Sequence, residues 1–495
     1  MSNIKSVSLK LLAALALLMI LFQTDSISQV RKLTLDEAIK TALENNSDTR
    51  IAVMEVNKAR AAVREAYGYA LPSVGVSANF SHFLEKPMMA FPDFGALLVN
   101  SANQYLYDNK FTFQKTDGSI APMTFEEYEK NKVPMETVLQ SFALSNNYEA
   151  KVEVQQILFN SAVFTGIGAS AKYLQTSEEM LHSKVSKTVL QVKKAFYGIV
   201  LAKEAVSIAK LSLENFENHL SNVRALYNGG LAAEYNVLQA EVQVENFKPV
   251  VLDTENGLKN ATEGLKMLLK IDKDTEIDVD GNLIYQEISV ANANELIAEA
   301  NKKNKDIKTL ESKIEVDEAF VDLDRSDWWP SVAAFGNYSI NGSSDDFNFM
   351  NYRQSMVGVA ITMNLFNGNR TTNKVQQSSI ERMKTEEQLS QLKNLITLQI
   401  KTKLNELDRV RQNLIAADRN IELAEKTAKI ANVGFSNGTR TQLEILTAET
   451  QLRQAKTNRM QSVYAYIVTL SEIDELVGNI NPEYIKMVLK NENNK

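Results

Sequence analysis

The stretch FSNGTRTQLEIL (435–446) places an arginine and a carboxylate close together just after a glycine turn. Arg440 and Glu444 are four residues apart, so on a helix they share one face and can form an ion pair. On an exposed helix such a pair adds little stability. This spacing therefore supports either an ordinary surface ion pair or a charged contact that matters for function.

The histidines give no support for catalysis or for a metal site. The sequence has three of them, His82, His182 and His219, and none lies at metal-ligand spacing from another. No phosphate-binding glycine loop, dinucleotide fingerprint or G-x-S-x-G motif is present. We therefore expect the chain not to be an enzyme, with no catalytic residue, no metal and no cofactor.

One acidic stretch resembles a calcium loop only in part. DKDTEIDVDGNL (272–283) has Ile277 where an EF-hand loop needs glycine, and Leu283 where the loop needs a bidentate glutamate. An acidic linker explains the stretch better.

Composition limits the remaining classes of function. The 495 residues, 44% of them hydrophobic, are enough for a sizeable core. The net charge of −7 includes no basic stripe, so we expect no nucleic-acid partner. The absence of cysteine excludes disulfides and thiolate sites but is compatible with an oxidising compartment.

The first residues are typical of an export signal. Lys5 and Lys10 precede the apolar run LLAALALLMILF (11–22), which is shorter than the roughly 20 residues of a membrane-spanning helix. We predict a signal peptide over 1–28, with Gln29 as the first mature residue; the alternative is an uncleaved anchor helix. No later apolar run is long enough for a spanning helix, which still permits a β-barrel.

The sequence contains an internal repeat. LPSVGVSANF (71–80) parallels WPSVAAFGNY (329–338), and two further pairs of segments match downstream at a shorter offset. We therefore predict a first repeat over 29–282, a second repeat over 283–480 and a C-terminal tail over 481–495. The change of offset places an irregular, packed insertion in the first repeat, at 84–147, where prolines concentrate, and we expect it to form an extracellular cap.

Each repeat begins with alternating apolar and polar residues, which predicts strands with one apolar face. Each strand has about 10 residues, the length that crosses a bilayer as β-structure. A soluble sandwich is the alternative, but the flanking helices are too long for it. The four predicted strands are 73–83, 148–158, 331–341 and 355–365.

Heptad-like apolar spacing follows the strands of each repeat and predicts long coiled-coil helices. The glycine turns at 228–230 and 434–438 divide each helical region into a hairpin, over 160–270 and 367–477. Pro249 is expected to kink or break the first return helix near Lys248. Four strands cannot close a barrel around a lumen, so several chains must contribute to pair every strand edge.

Short motifs carry a resemblance to a known family. LPSV and WPSV open the strands, LFN precedes the long helices, and GFSNGTRTQLEILTAETQLRQAK (434–456) covers the second turn. Together, over residues 33–480, they resemble the TolC family of outer membrane efflux proteins. The resemblance implies an α+β membrane protein in which a homotrimer forms a 12-stranded outer membrane β-barrel, four strands per chain, continuous with a long α-helical coiled-coil periplasmic barrel.

The resemblance also implies a gate at the periplasmic helix tips. Arg440 matches an arginine that holds the family's closed state through polar links to the first hairpin. Glu444 matches the first of two carboxylates that ring the pore, and Thr447 stands where the second carboxylate would be. The gate aspartate corresponds to Asn236, beside Tyr235.

Phe435 stands where the family often has a gate tyrosine. Because Thr447 and Asn236 stand at the positions of family carboxylates, fewer charges are available to close this gate than in the family pattern. The helix tips that would dock an adaptor are, in sequence order, Gly229, Gly230, Leu231, Asn437, Gly438 and Thr439.

The implied partners are a periplasmic membrane-fusion adaptor, an inner-membrane transporter of the RND, ABC or MFS type, and outer membrane lipid. We expect export of small molecules, including drugs, toxic compounds and metals, through an outer membrane channel with its helices in the periplasm. Type I protein secretion is the alternative within this class. A structural coiled-coil envelope protein is the alternative outside it, and the four alternating strands argue against that class.

Overall fold

The computed structural model describes the backbone of residues 31–492, so the predicted signal peptide (1–28) and Gln29 lie outside the described residues. Its helices differ widely in length and are α1 (Leu35–Asn45), α2 (Ser47–Gly68), α3 (Phe94–Asp108), α4 (Phe125–Lys130), α5 (Ser161–Asn228), α6 (Glu234–Leu269), α7 (Ala293–Lys303), α8 (Lys305–Arg325), α9 (Arg370–Ser436), α10 (Gln442–Val477) and α11 (Pro482–Glu492). Its strands are β1 (Arg31–Leu33), β2 (Ser73–His82), β3 (Met89–Pro92), β4 (Thr112–Gln114), β5 (Ile120–Pro122), β6 (Thr137–Gln140), β7 (Asn146–Asn160), β8 (Ile277–Val279), β9 (Ser331–Ser344) and β10 (Met350–Thr362).

The chain divides into two compact units that are each discontinuous in sequence. The sheet unit comprises 67–163 and 327–366, and the helical unit comprises the described residues of 31–66, 164–326 and 367–492. The predicted division at 282/283 is not a boundary between these units, because strands from both predicted repeats enter one sheet.

The sheet unit is built on a four-stranded antiparallel sheet in the order β10–β9–β7–β2. These strands overlap the predicted ranges, but β7 and β9 are longer than expected, and β10 both begins and ends before the predicted 355–365. β7 pairs with β9 along most of its length, with a register shift between Ile157 and Phe159. Within the described chain, β2 and β10 are the sheet edges.

One face of this sheet is apolar across all four strands. Val74 pairs with Val154, which pairs with Gly336, which pairs with Val357. The three valine side chains are exposed, with Val357 at 88% of its full accessibility. An apolar face left uncovered in this way is suited to contact with lipid or with another chain.

The opposite face carries polar side chains. Lys151 and Glu153 of β7 form an ion pair of 2.5 Å on it, and Asn337 of β9 lies in the same cross-strand row as Glu153. The sheet therefore has one apolar face and one polar face, as expected of a sheet that separates an apolar environment from an aqueous one.

The insertion over 84–147 contains regular elements, so our expectation of an irregular loop is wrong. It holds α3, α4 and two small two-stranded sheets, β3–β6 and β4–β5. α3 begins at a cap in which Asp93 accepts hydrogen bonds from the amides of Gly95 and Ala96. Aromatic contacts pack the segment, including Phe91 against Phe142 with ring centroids 4.9 Å apart. Local capping and aromatic burial thus stabilise short elements that carry no long periodicity.

Asp345, in the turn after β9, holds both ends of the insertion. Its carboxylate accepts hydrogen bonds from Lys86 Nζ at 2.6 Å, from the Ser145 amide at 2.8 Å and from Ser145 Oγ at 2.9 Å. The bond from Lys86, followed by those from Ser145, lowers the pKa of Asp345 to about 2. The insertion is therefore anchored where it leaves and rejoins the sheet.

The helical unit contains two antiparallel pairs of long helices, α5–α6 and α9–α10. α5 has 68 residues and α9 has 67, close to the predicted lengths. Pro249 does not break α6, so of the kink or break expected near Lys248 the break does not occur. The proline is exposed, so water can bind the carbonyl whose helical donor it removes, and α6 continues past it.

Two apolar clusters lie where the short helices pack against the long ones. In the first, Ile39 of α1 and Leu265 of α6 pack with Phe196 of α5. In the second, Ile307 of α8 packs with Leu407 of α9 and Tyr466 of α10. The acidic stretch over 272–283 contains β8, which pairs in parallel with β1 at the edge of the first cluster. This pairing gives the stretch a structural role.

Ion pairs join the first helical pair to the second. Glu472 of α10 contacts Lys194 of α5 at 2.5 Å and Lys403 of α9 at 2.7 Å. The predicted tail includes helix α11, whose Val488 is buried and whose Tyr484 donates a hydrogen bond to Asp36. Among the described residues, no helix is long and apolar enough to cross a membrane.

Candidate gate at the helix tips

The first tip is a glycine turn between α5 and α6. Gly230 has φ +75°, a conformation that favours glycine, and the Leu231 amide bonds the Leu226 carbonyl to close the end of α5. Gly229 precedes this turn, and Leu231 is 80% exposed. The tip thus presents an apolar side chain to its surroundings.

The second tip closes on the backbone of Gly434. Its carbonyl accepts hydrogen bonds from the Thr439 amide at 2.8 Å and from Thr439 Oγ1 at 3.0 Å, while Gly438 has φ +72°. A Cβ on Gly434 would collide with Cγ of Arg440. Glycine at 434 therefore lets the Arg440 side chain pass close to the end of α9, with Asn437 in the cap position.

Glu444 forms a capping box with Thr441 at the start of α10. Its Oε2 accepts from the Thr441 amide at 2.7 Å and from Thr441 Oγ1 at 3.0 Å, and its own amide bonds Thr441 Oγ1. Its Oε1 accepts from Arg440 Nη1 at 2.6 Å. The Thr441 amide, with the Arg440 guanidinium next in effect, lowers the pKa of Glu444 to about 2. Glu444 is therefore fully ionised near neutral pH.

At the second tip of the described chain, Gln442 and not Arg440 makes a side-chain hydrogen bond to the first hairpin. Its Nε2 donates to the backbone carbonyl of Asn236 at 3.0 Å, and the side chain is 5% exposed. In the described chain Arg440 pairs with Glu444, because the capping box holds Glu444 one turn from Arg440 and within its reach. A polar link from Arg440 to the first hairpin stays a prediction.

The other predicted gate residues occupy different environments. Tyr235 is 70% exposed, and Thr447 Oγ1 donates to the Leu443 carbonyl along its own helix. Phe435 packs against Ile445 and its neighbours, and its ring lies 5.2 Å from that of His219. Phe435 therefore contributes packing at a position where a tyrosine would also offer a hydroxyl group for a hydrogen bond.

The sequence interpretation missed Thr441 and Gln442 as contact residues. The T-x-x-E spacing of Thr441 and Glu444 is a capping-box signature and could have shown the first. No local signal marks Gln442, because its partner is a carbonyl more than two hundred positions away in the chain. Across residues 31–492, no cluster of three or more acidic or histidine side chains is arranged to hold a metal ion.

Two long helical hairpins with linked tips, in a chain that also forms a sheet with an exposed apolar face, are a fold that solved outer membrane channels share. Similar solved structures support this fold. The chain matches the Campylobacter jejuni CmeC outer membrane channel with a TM-score of 0.68 and 14% identity, over 92% of this chain and 89% of that one. It matches CusC with a TM-score of 0.66 and 16% identity, over 90% of this chain and 92% of that one.

Sequence comparisons give the family. Residues 296–479 match the family model described as outer membrane efflux protein. The chain is 20% identical to outer membrane protein TolC of Escherichia coli over 363 residues, covering 68% of this chain and 71% of that protein. It is 19% identical to alkaline protease secretion protein AprF of Pseudomonas aeruginosa over 358 residues, covering 70% and 73%.

The chain is thus similar to the TolC family of outer membrane efflux proteins in sequence and over the family model at 296–479, which confirms the family resemblance seen in the motifs. It is an outer membrane protein with its helices in the periplasm, and its function is that of a channel for efflux or secretion. The family consists of channels, not enzymes.

Proposed function

We propose that the chain is the outer component of a tripartite efflux pump and exports small molecules such as drugs, other toxic compounds or metals. The observation that carries this proposal is the four-stranded sheet, which leaves the edges β2 and β10 open and an apolar face uncovered. A sheet of this kind is completed when further copies pair its edges and lipid covers its apolar face.

The assembly that satisfies these edges is a homotrimer. Three chains contribute four strands each to a 12-stranded barrel, in the size range that encloses an aqueous lumen. The two helical pairs of each chain form the wall of a periplasmic tunnel. The sequence repeat explains why each chain supplies two such pairs of similar length.

A pair of arginine variants tests the orientation of the sheet. Val359→Arg places a charge on the apolar face, at a cost of about 2–4 kcal/mol at the bilayer midplane, so heat-resistant trimer should be lost. Met356→Arg is the matched control, because it lies on the opposite face of the same strand and should assemble. Equal assembly of the two variants, or a folded monomer by light scattering, contradicts the barrel.

The helix tips are the proposed docking surface for a periplasmic adaptor protein, which connects the channel to an inner-membrane transporter. The exposed Leu231 of the first tip supports this role, with Gly229, Gly230 and the second turn at 437–439 beside it in the proposed assembly. A channel without an energy source of its own needs such a transporter partner.

The same tips are the proposed gate. Arg440 and Glu444 stabilise the start of α10, which presents Gln442 to Asn236 of the first hairpin. In this arrangement Arg440 is a positioning residue, while Thr447, Tyr235 and Phe435 contribute the surrounding surface. The closed state then depends on few charged contacts between hairpins.

Deletion of the gene separates efflux from the second candidate, type I protein secretion. Sensitivity to dyes, detergents and metals should rise in the deletion strain, and wild-type chain but not Val359→Arg should restore resistance. Protein secretion is the second candidate because the chain is similar to the alkaline protease secretion protein AprF. Loss of a secreted protein without a change in sensitivity would favour secretion.

A further inference from the structure

A buried histidine lies between the two helical hairpins, near their tips. His219 is on α5, which belongs to the first hairpin, and its ring packs 5.2 Å from that of Phe435 on α9 of the second. The residue is 7% exposed, and its Nε2 is buried without a hydrogen-bond partner among the described residues. An apolar ring thus covers one side of a group that can gain a proton.

A polar bridge next to this histidine joins three helices. Glu449 of α10 accepts a hydrogen bond from Asn215 Nδ2 of α5 at 3.1 Å and another from Asn432 Nδ2 of α9 at 3.1 Å. Asn215 is one turn before His219, and Asn432 is one turn before Phe435. The ring contact and the bridge therefore form one connection between the hairpins.

The surroundings of His219 favour its neutral form. Burial lowers the pKa of His219 below its usual value, and the nearby Glu449 carboxylate opposes this effect to a smaller extent. Arg453, one turn further along α10, adds a positive charge above the Phe247 ring of α6. On α9, the residues that take part in this connection, Asn432 and Phe435, carry no charge. An imidazolium here would bury an N–H donor that nothing accepts.

We propose that His219 is a proton-sensitive contact between the two hairpins, which holds them together when neutral and weakens their packing when protonated. Its effect on the channel rests on the proposed gate at the tips. A hydrated histidine titrates near pH 6.5, whereas burial disfavours the proton in the packed state. The packing is therefore at full strength above about pH 6.5 and weakens as the pH falls below it.

Hydrogen–deuterium exchange of the full-length protein in detergent measures this packing directly. At pH 7.5, wild type and His219→Gln should exchange the amides of 213–226 and 428–436 at similar rates. At pH 5.5 wild type should exchange these amides faster than His219→Gln. The difference should be at most about tenfold per chain, because pH 5.5 lies one unit below the pKa of a hydrated histidine. Because wild type and variant are compared at the same pH, the intrinsic pH dependence of amide exchange is the same for both and cancels.

Two further variants complete the design. His182→Gln removes another histidine of the same helix, one that pairs with Glu179 at 3.3 Å, and should keep the wild-type response. His219→Phe keeps a ring against Phe435 and should lose the faster exchange at pH 5.5. This variant keeps the test valid if glutamine at 219 disturbs folding. A wild-type response retained in both His219 variants, or absent from wild type, overturns the proposal.

Conductance in planar bilayers separates this inference from the gate. If the gate proposal is correct, acid should raise wild-type conductance but not that of His219→Gln. Faster exchange at pH 5.5 with unchanged conductance supports the proton-sensitive contact and rejects the tips as the gate. Acid-induced opening that persists in both His219 variants supports the gate and rejects the histidine.

Discussion

The Gln442 side chain donates a hydrogen bond to the backbone carbonyl of Asn236 and so connects α10 of the second hairpin to α6 of the first. The bond is 3.0 Å long, and Gln442 is almost completely buried. Because a backbone carbonyl is the acceptor, this link does not depend on the side chain at 236.

Gln442→Ala should weaken the closed tips, because it removes the hydrogen bond that the almost completely buried Gln442 side chain donates to the first hairpin. We expect single-channel conductance in planar bilayers to rise severalfold. Gln454→Ala is the matched control, since Gln454 lies on the exposed surface of the same helix and bonds Asn458 within it. Equal conductance of the two variants would remove Gln442 from the gate.

Arg440→Ala should also raise conductance, but less than Gln442→Ala, because Arg440 acts through Glu444 and the start of α10. Since the pKa of Glu444 is about 2, this contribution is present above pH 4.5 and is lost only as the pH falls toward 2. The difference between Arg440→Ala and wild type should therefore be constant from pH 5 to pH 8. Unchanged conductance in Arg440→Ala would make the arginine a surface residue.

Glu444→Gln should lower the preference of the channel for cations without closing it. In a trimer, three copies of Glu444 bring negative charge to the narrow end of the pore, and glutamine removes that charge while keeping a side-chain oxygen for the cap. Reversal potentials in a salt gradient measure the preference. A value identical to wild type would place Glu444 away from the ion path.

The insertion should face the outside of the cell. The chain has no cysteine, so Ser101→Cys on the exposed surface of α3 is a single reporter. It should react with a membrane-impermeant maleimide on intact cells. Thr439→Cys at the second tip is the control and should react only after the outer membrane is permeabilised. Protection of Ser101→Cys on intact cells would mean that the insertion points inward or fills the lumen.

Asp345→Asn should loosen the insertion, because the amide keeps at most part of the three hydrogen bonds that hold Lys86 and Ser145. Limited proteolysis should cut between 84 and 147 several times faster than in wild type. Asp346→Asn is the matched control, since Asp346 bonds only residues of its own turn, Ser344 and Asn348. Similar cleavage of both variants would show that Asp345 is not the anchor.

Periodicity was sufficient to locate the main elements. The alternation of Val74, Val76 and Phe80 with small polar residues marks β2, and glycine at 230 and 438 marks the turns between long helices. These features depend on local geometry, which a single segment of chain carries by itself. The insertion was not predictable in the same way, because its short helices and strands are set by caps and aromatic contacts that leave no long repeat.

The sequence by itself determined the strand alternation, the long helices, their glycine turns and the family resemblance, because each of these depends on local residue spacing or on short motifs. Only the tertiary structure decided which side chains meet at the tips. Gln442 reaches Asn236, and His219 meets Phe435, across separations of about two hundred residues. Such contacts follow from the packing of one hairpin on the other, and a linear pattern does not specify which buried polar atom finds a partner and which, like Nε2 of His219, does not.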